Sequence, residues 1–339
     1  MTTLLVDGDN LLTIGYHGVK NMFFKGKHIG GIYHFLNTLR RLFEIHSLDK
    51  IVVFWDGEES SSQRRKLYSE YKLGTKRKKT EEEQKNYNYQ RYRVKLYLEE
   101  VYVRQGEYEN CETDDAIAYY VQNTPNEKKI IFSSDRDLIQ LLNETTSLYH
   151  PMHHRVYNPG DVIEFDHENI VVENVKLVKM ICGDPSDNIL GIRNLGIKRF
   201  LTLFPELRTQ PMTLSEIRER GDQIFKENKN NKPIQLFLSG VTKLGVYGDE
   251  FFDVNSKIID LSEPFLTEDA KSQIRGLINE NLDTEGRSYK HALKLMIEDG
   301  LFTALPKQDD AWIKFLNPFL RLTRKEKNKF LYKPNTAKL

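Results

Sequence analysis

An α/β fold with a central, mainly parallel sheet flanked by helices is predicted by three features of this 339-residue chain. First, the apolar runs Leu4-Leu5-Val6, Ile51 to Trp55 and Ile130-Ile131-Phe132 are continuous rather than alternating, as in strands covered on both faces. Second, the intervening segments Ile32 to Phe43 and Ala116 to Val121 carry apolar residues at helical spacing. Third, every run stops at acids: Asp7, then Asp56, then Asp135 and Asp137 within "SSDRD". Ligands of parallel sheets sit beyond the carboxyl ends of the strands, so these four acids should converge.

Composition sets bounds on the rest. With 39% hydrophobic and 29% charged residues, the chain can bury a substantial core, as one large domain or two ordinary ones. A formal charge of +1 means that any nucleic-acid footprint must come from local patches. No apolar run approaches the ~18 residues of a membrane span, and "MTTLLVDGDN" lacks a basic leader and cleavage site, so a soluble, cytoplasmic protein without a membrane partner is expected. Two cysteines, Cys111 and Cys182, are too few for a disulfide scaffold or a cysteine zinc site and fit a reducing compartment.

Two further acidic clusters precede predicted helices. In "CETDDAIAYY", Thr113 is placed as the N-cap, so that Asp114 shares the inward face with Ile117, Ala118 and Val121, while Asp115 shares a face with Glu112 and Tyr119. In "GDPSDNILGIRNLGIKRF", Asp184 and Asp187 precede a glycine-punctuated turn. Asp7, Asp56, Glu112, Asp114, Asp115, Asp135, Asp137, Asp184 and Asp187 are thus expected in one cleft. Carboxylates so close either raise each other's pKa or bind cations, and an all-oxygen set selects hard ions such as Mg²⁺ or Mn²⁺. Two such ions suit phosphodiester hydrolysis.

The elements "VDGDNLL", "FWDG", "ENCETDDAIA", "SSDRDLIQLL" and "GDPSDNILGIRNLGIKRF" occur in the order and spacing of the flap endonuclease and 5′-3′ exonuclease family, which this chain resembles over roughly its first 205 residues. With no polymerase region following, it looks most like the free-standing phage nucleases of the ribonuclease H type found in T-even phages. The resemblance implies a PIN-like 5′ nuclease core over 1–205, with a basic helical arch at about 57–100 and the start of a helix-three-turn-helix at about 176–205. A helical region over 206–339 would support duplex binding. It implies one metal group from Asp7, Asp56, Glu112, Asp114 and Asp115 and a second from Asp135, Asp137, Asp184 and Asp187. Asp9 lies outside the family pattern and is expected first as a loop or capping acid, then as an outer neighbour of the ligands.

From Arg64 to Lys79 the chain has eight Lys or Arg against one acid, Glu70, with Tyr68 and Tyr71 interleaved. Cations attract phosphates and tyrosines stack unpaired bases, so Arg64, Arg65, Tyr68 and Lys76 are candidate nucleic-acid contacts. The segment stands where the family has its arch, and "YSEYK" matches the family's Tyr-Lys element, which implies that Tyr71 and Lys72 reach the scissile phosphate. Thr75 stands where family members have an arginine, so either the arch carries a short insertion or another cation serves; Arg77 is assigned that role.

Gly191 and Gly196 are expected to let backbone amides meet a phosphate, with Lys198 and Arg199 alongside. The resemblance implies a K⁺ ion at this turn; Leu190, Asn194 and Arg199 depart from the family's proline, glycine and threonine, and Asn194 tolerates the left-handed conformation that the turn needs. "HPMHHR", with His150, His153 and His154, reads as a surface loop rather than zinc. The end, with Arg321, Arg324, Lys325, Lys327, Lys329 and Lys333, reads as a basic helix capping the core.

The function expected is a metal-dependent, structure-specific 5′ nuclease acting on 5′ flaps, nicked or tailed duplex and RNA-DNA hybrid, in primer or flap removal during replication. A monomer is expected, working with a single-strand-binding protein or a sliding clamp. Three alternatives stay open: an endoribonuclease for folded RNA, a non-catalytic binder of branched DNA, and a nuclease active only with a partner.

Overall fold

The computed structural model describes residues 2–74, 79–242, 249–282, 285–307 and 310–322. In chain order, β1 (Thr2–Asp7) leads into α1 (Gly8–Gly18), a hairpin of β2 (Phe23–Phe24) and β3 (Lys27–His28), then α2 (Gly30–Ile45) and β4 (Lys50–Trp55). Helices α3 (Ser62–Leu67) and α4 (Glu81–Glu100) precede β5 (Arg104–Glu107), α5 (Thr113–Gln122) and β6 (Lys128–Phe132). Next come β7 (Thr146–His150), β8 (Arg155–Tyr157), a hairpin of β9 (Val162–Phe165) and β10 (Glu168–Val171), and α6 (Val175–Cys182). Helices follow: α7 (Ile197–Leu203), α8 (Leu214–Glu227), α9 (Lys232–Ser239), α10 (Asp249–Ile259), α11 (Glu268–Asn279), α12 (Tyr289–Glu298) and α13 (Ala311–Leu316).

The central sheet has the order β5-β4-β1-β6-β7-β8, with every pairing parallel except the antiparallel edge pair β7-β8. After β1 the chain builds outward to β4 and β5, then returns to β6 on the other side. The strand order therefore reverses at β1, and the crevice at its carboxyl end is where such sheets bind ligands.

Successive strand residues feed two cores. Leu5, Val52, Phe54 and Ile131 join Ile117, Ala118 and Ile181 on one face. Leu4, Val6, Val53 and Trp55 join Leu11, Phe35 and Tyr97 on the other. With both faces covered, burial favours apolar residues at every position, which explains the unbroken runs. Residues from beyond 205 complete both cores: Phe252, Ile258 and Ile274 the first, Ala292, Met296, Phe315 and Phe319 the second. Phe319 and Leu322 begin the basic end segment as core residues with Arg321 exposed between them; Arg324, Lys325, Lys327, Lys329 and Lys333 lie outside the described residues.

Helix α4 carries the second half of the basic segment. Thr80 and Glu83 form a reciprocal capping box, and three glutamates in the first turn complement the helix dipole. Tyr87, Val94, Tyr97 and Leu98 form its buried stripe. The histidine-bearing stretch differs from expectation. His150 belongs to β7 and is buried, with its ring stacked on His153 at 3.9 Å, and only the turn with His153 and His154 is exposed. His150 pairs with Arg155 of β8, and its Nε2 meets the Ser134 carbonyl at 3.1 Å. Among the described residues no helix is long and apolar enough to cross a membrane.

Candidate active site

The first acidic group forms because strand ends and helix starts meet at the reversal point. Asp7 ends β1 and caps α1: one oxygen accepts from the Asn10 amide at 3.0 Å, the other from the Ser133 hydroxyl at 3.0 Å. Asp56 follows β4 and accepts from the Thr113 amide at 2.9 Å, so a carboxylate from a neighbouring strand caps α5. The cap position itself is Glu112, not Thr113 as the sequence suggested, and its side chain makes no capping bond because it is held elsewhere. Asp7, Asp56, Glu112, Asp114 and Asp135 line one cavity of about 770 Å³, with Lys72 and Arg91 on its wall.

Burial pushes Asp7 up to about 8, reinforced by Asp56 and Asp135. Burial, with Asp135 and Asp7 close by, likewise holds Asp114 well above the usual carboxylate range. Glu112 behaves oppositely: burial disfavours its charge, but Lys72 and Arg64 outweigh that and hold its pKa below the ordinary value.

Glu112 is the anchor of the basic segment. Its Oε2 accepts from Lys72 Nζ at 3.0 Å, Tyr71 Oη at 3.1 Å and Arg64 Nη1 at 3.2 Å, and Oε1 from the Ser61 hydroxyl at 2.7 Å. Lys72 sits in the left-handed region at φ 55°, rare for a lysine, and its amide donates to the Asp187 carbonyl at 2.9 Å. It is thereby tied to the first acidic group by its side chain and to the second by its backbone. Tyr71 is buried and supports Glu112 instead of projecting.

Two sequence expectations need correction here. Arg64 is not a surface contact: it is 3% exposed, its Nη atoms grip Asp115 at 2.5 and 3.0 Å, and its Nε donates to the Ile258 carbonyl at 2.9 Å. Asp115, not Asp114, points into the core, at 0% exposure, while Asp114 faces the cavity. Helix α5 is covered on both sides, by the sheet and by Arg64 with α11, so its apolar spacing alone did not identify the open face. Both Asp115 oxygens are engaged by Arg64, and one also by the Phe265 amide at 3.0 Å, which sets it apart from the cavity acids.

The second group is compact. Oxygen atoms of Asp137, Asp184 and Asp187 lie within 4.8 Å of one another, and among the described residues no other cluster of this kind occurs. Asp135 leads into it, accepting from the Asp137 amide at 2.9 Å. Lys179, on the buried face of α6, bonds to Asp137 and to Asp184, the latter at 2.5 Å. Burial pushes Asp137 up to about 6 despite Lys179.

In the turn after this group, Asn194 adopts φ 58°, as expected. Gly191 is buried rather than exposed as an open phosphate contact would need. A side chain there would stand 1.9 Å from the Cys182 carbonyl, so its smallness serves the packing of the turn against α6. Gly196 is exposed, with open space where a side chain would stand, at the start of α7 beside exposed Lys198 and Arg199. Arg65 donates to the Tyr71 carbonyl at 3.1 Å and Tyr68 is half-buried. Lys76 and Arg77 lie outside the described residues.

Sequence reasoning missed Lys179, Arg91 and Ser133. A lysine inside the apolar run "VKLVKMIC" was the one available signal; nothing local marks Arg91 or Ser133. The donor set is all oxygen, without cysteine or histidine, and its acids raise one another's pKa values, which fits hard divalent cations.

A family model described as the N-terminal, resolvase-like domain of 5′-3′ exonucleases matches residues 2–170. The 5′-3′ exonuclease of Mycoplasmopsis pulmonis is 30% identical over 248 residues, 71% of this chain and 80% of that protein. That of Halalkalibacterium halodurans is 29% identical over 246 residues, 67% and 77% respectively. Among solved structures, the bacteriophage T5 5′-exonuclease with bound divalent zinc ions superposes with a TM-score of 0.58 at 19% identity, covering 88% of this chain and 98% of that one. Human GEN1 in complex with Holliday junction DNA gives 0.57 at 13% identity, covering 98% and 75%. At these identities the structural likeness concerns the fold.

Proposed function

The chain belongs to the 5′-3′ exonuclease and flap endonuclease family and is a nuclease; from that premise we propose that it is a divalent-metal-dependent, structure-specific 5′ nuclease that hydrolyses one phosphodiester near a 5′ end or a single-strand to duplex junction. The observation that supports this best is the cavity itself, lined by Asp7, Asp56, Glu112, Asp114 and Asp135 from four separate chain segments together with Lys72, whose ammonium bonds to Glu112 at 3.0 Å.

Asp7, Asp56, Glu112 and Asp114 would hold one cation, and Asp135, Asp137, Asp184 and Asp187 another, as Mg²⁺ or Mn²⁺. When bound, such a pair activates water and stabilises the leaving oxygen. The chain's own residues do the rest. Lys72 presents positive charge to a phosphate that gains negative charge in the transition state. Tyr71 and Arg64 fix the Glu112 carboxylate that orients Lys72. Lys198, Arg199 and the open backbone at Gly196 would hold duplex phosphates, a K⁺ ion would sit at that turn, and Arg65, Tyr68, Lys76 and Arg77 would guide the unpaired strand. The helical region beyond 205 would buttress the duplex side. The biological setting we propose is removal of RNA primers or 5′ flaps in replication, RNA-DNA hybrid included, beside a single-strand-binding protein or clamp.

The test is a 5′-flap duplex labelled at both ends. Mg²⁺ should give products mapping to the junction, and Ca²⁺ should support binding without cleavage. Tight branch binding with no cutting in Mg²⁺ or Mn²⁺ would make the protein a binder of branched DNA, and cleavage confined to folded RNA would favour the endoribonuclease.

A pH dependence follows from the raised acids. Asp7 keeps its proton in the folded state up to about pH 8, whereas in the unfolded chain it loses it near ~3.9. Across that window the folded state binds the extra proton, so this contribution to metal-free stability is full at low pH and falls as pH rises. Cations bind the ionised form, so the rise in Tm on adding Mg²⁺ should be larger at pH 8 than at pH 6. An equal rise at both values would show that these acids are already ionised without metal.

A further inference from the structure

The Asp56 peptide is clamped from both sides by an ion pair. Asp9 Oδ2 accepts from the Asp56 amide at 3.0 Å, and Arg91 Nη2 donates to the Asp56 carbonyl at 2.9 Å. The two clamp residues are themselves joined in a fork: Arg91 Nε to Asp9 Oδ1 at 2.8 Å and Nη2 to Oδ2 at 3.0 Å. The fork is braced further. Tyr87 Oη donates to Asp9 at 3.2 Å, Arg91 Nη1 to Glu107 at 2.8 Å, and the guanidinium lies 5.1 Å from the Trp55 ring centre. Tyr87 and Arg91 belong to α4, while Asp9 lies in the first turn of α1 and Asp56 follows β4.

We propose that Arg91 and Asp9 are positioning residues for Asp56, bolting the arch-side helix α4 to the acidic group so that the Asp56 carboxylate is aimed before any ligand arrives. The inference rests on the metal-dependent reading above. Arg91 and Asp9 cancel each other's charge, so the pair adds little net field to the cavity; what it supplies is geometry. A ligating carboxylate held by fixed outer partners loses less freedom on binding, and removing such partners typically costs 10–100-fold in metal affinity.

Geometry and charge make opposite predictions. Removing the Arg91 cation leaves Asp9 uncompensated beside the acids, so electrostatics alone would tighten a divalent cation, while loss of positioning would weaken it. Arg91→Lys separates them further, since it keeps the charge and loses the fork. The experiment is Mn²⁺ binding to the DNA-free full chain, read by electron paramagnetic resonance, with thermal melting in EDTA to report folding. We expect Arg91→Gln to weaken Mn²⁺ by about 10-fold or more and Arg91→Lys by a smaller factor. Arg93→Gln is the control. It loosens the same helix by breaking contacts at 2.8 Å to Asp299 and 3.0 Å to Glu298, away from the cavity, and should leave the affinity unchanged. Unchanged or tighter binding in Arg91→Lys and Arg91→Gln, or an equal loss in Arg93→Gln, overturns the inference. Failure of the parent protein to bind Mn²⁺ at all would instead refute the metal-dependent reading on which it stands.

Discussion

Asp7→Asn is expected to abolish cleavage while leaving the metal-free protein at least as stable as its parent. Asp7 lies at the reversal point of the sheet and lines the cavity with Asp56, Glu112, Asp114 and Asp135. Losing an inner carboxylate should reduce the single-turnover rate in Mg²⁺ by more than about 100-fold, the upper end of what losing a mere supporting partner costs. Stability should not follow activity. Asparagine is as good an N-cap as aspartate, so the bond to the Asn10 amide survives. Its amide can face the Ser133 hydroxyl, which both donates and accepts. At pH 8 the parent must begin to ionise a buried acid beside Asp56 and Asp135, and the variant need not. Melting in EDTA at pH 8 should therefore show an equal or higher Tm. A variant that cuts at the parent's rate would remove Asp7 from the reacting centre.

Arg64→Ala is expected to do the reverse, damaging the fold first. The guanidinium is enclosed between α3 and the start of α5, with Phe265 4.8 Å from its centre. Removing it leaves Asp115 at 0% exposure without its cation, held by the Phe265 amide, and deprives Glu112 of one of its cations. Breaking a buried pair from one side typically costs about 3–5 kcal/mol, because an uncompensated charge stays behind. Protonating Asp115 relieves that cost, so the loss in urea unfolding should be larger at pH 8 than at pH 5. If Arg64→Ala melts like the parent and loses only DNA affinity, the surface role that its sequence context suggested is restored.

The contrast between these two substitutions reflects what each residue's neighbourhood in sequence can say. Asp7, Asp56 and Asp135 were legible because each follows an unbroken apolar run. Arg64 was not: in sequence it is one of eight cations in a stretch of sixteen residues, 64–79, and nothing local distinguishes it from Arg65 or Lys66. In the fold Arg64 is buried, Arg65 is half-buried and Lys66 is exposed.

The sequence by itself determined the parallel sheet, the edge at which its acids gather and the left-handed turn at Asn194. Those depend on rules that act within a few residues: the period of an apolar run, the direction in which a parallel strand points its end, and the conformations one side chain tolerates. The tertiary structure alone decided which acids face the cavity and which cations serve them. Asp115 is turned into the core and Asp114 into the cavity because α5 is packed on both sides. Arg64 reaches Asp115 across 51 positions, Arg91 reaches Asp9 across 82, and Lys179 reaches Asp137 across 42. Such pairs are fixed by where whole elements come to rest, and the burial that brings them together also makes their charges matter most.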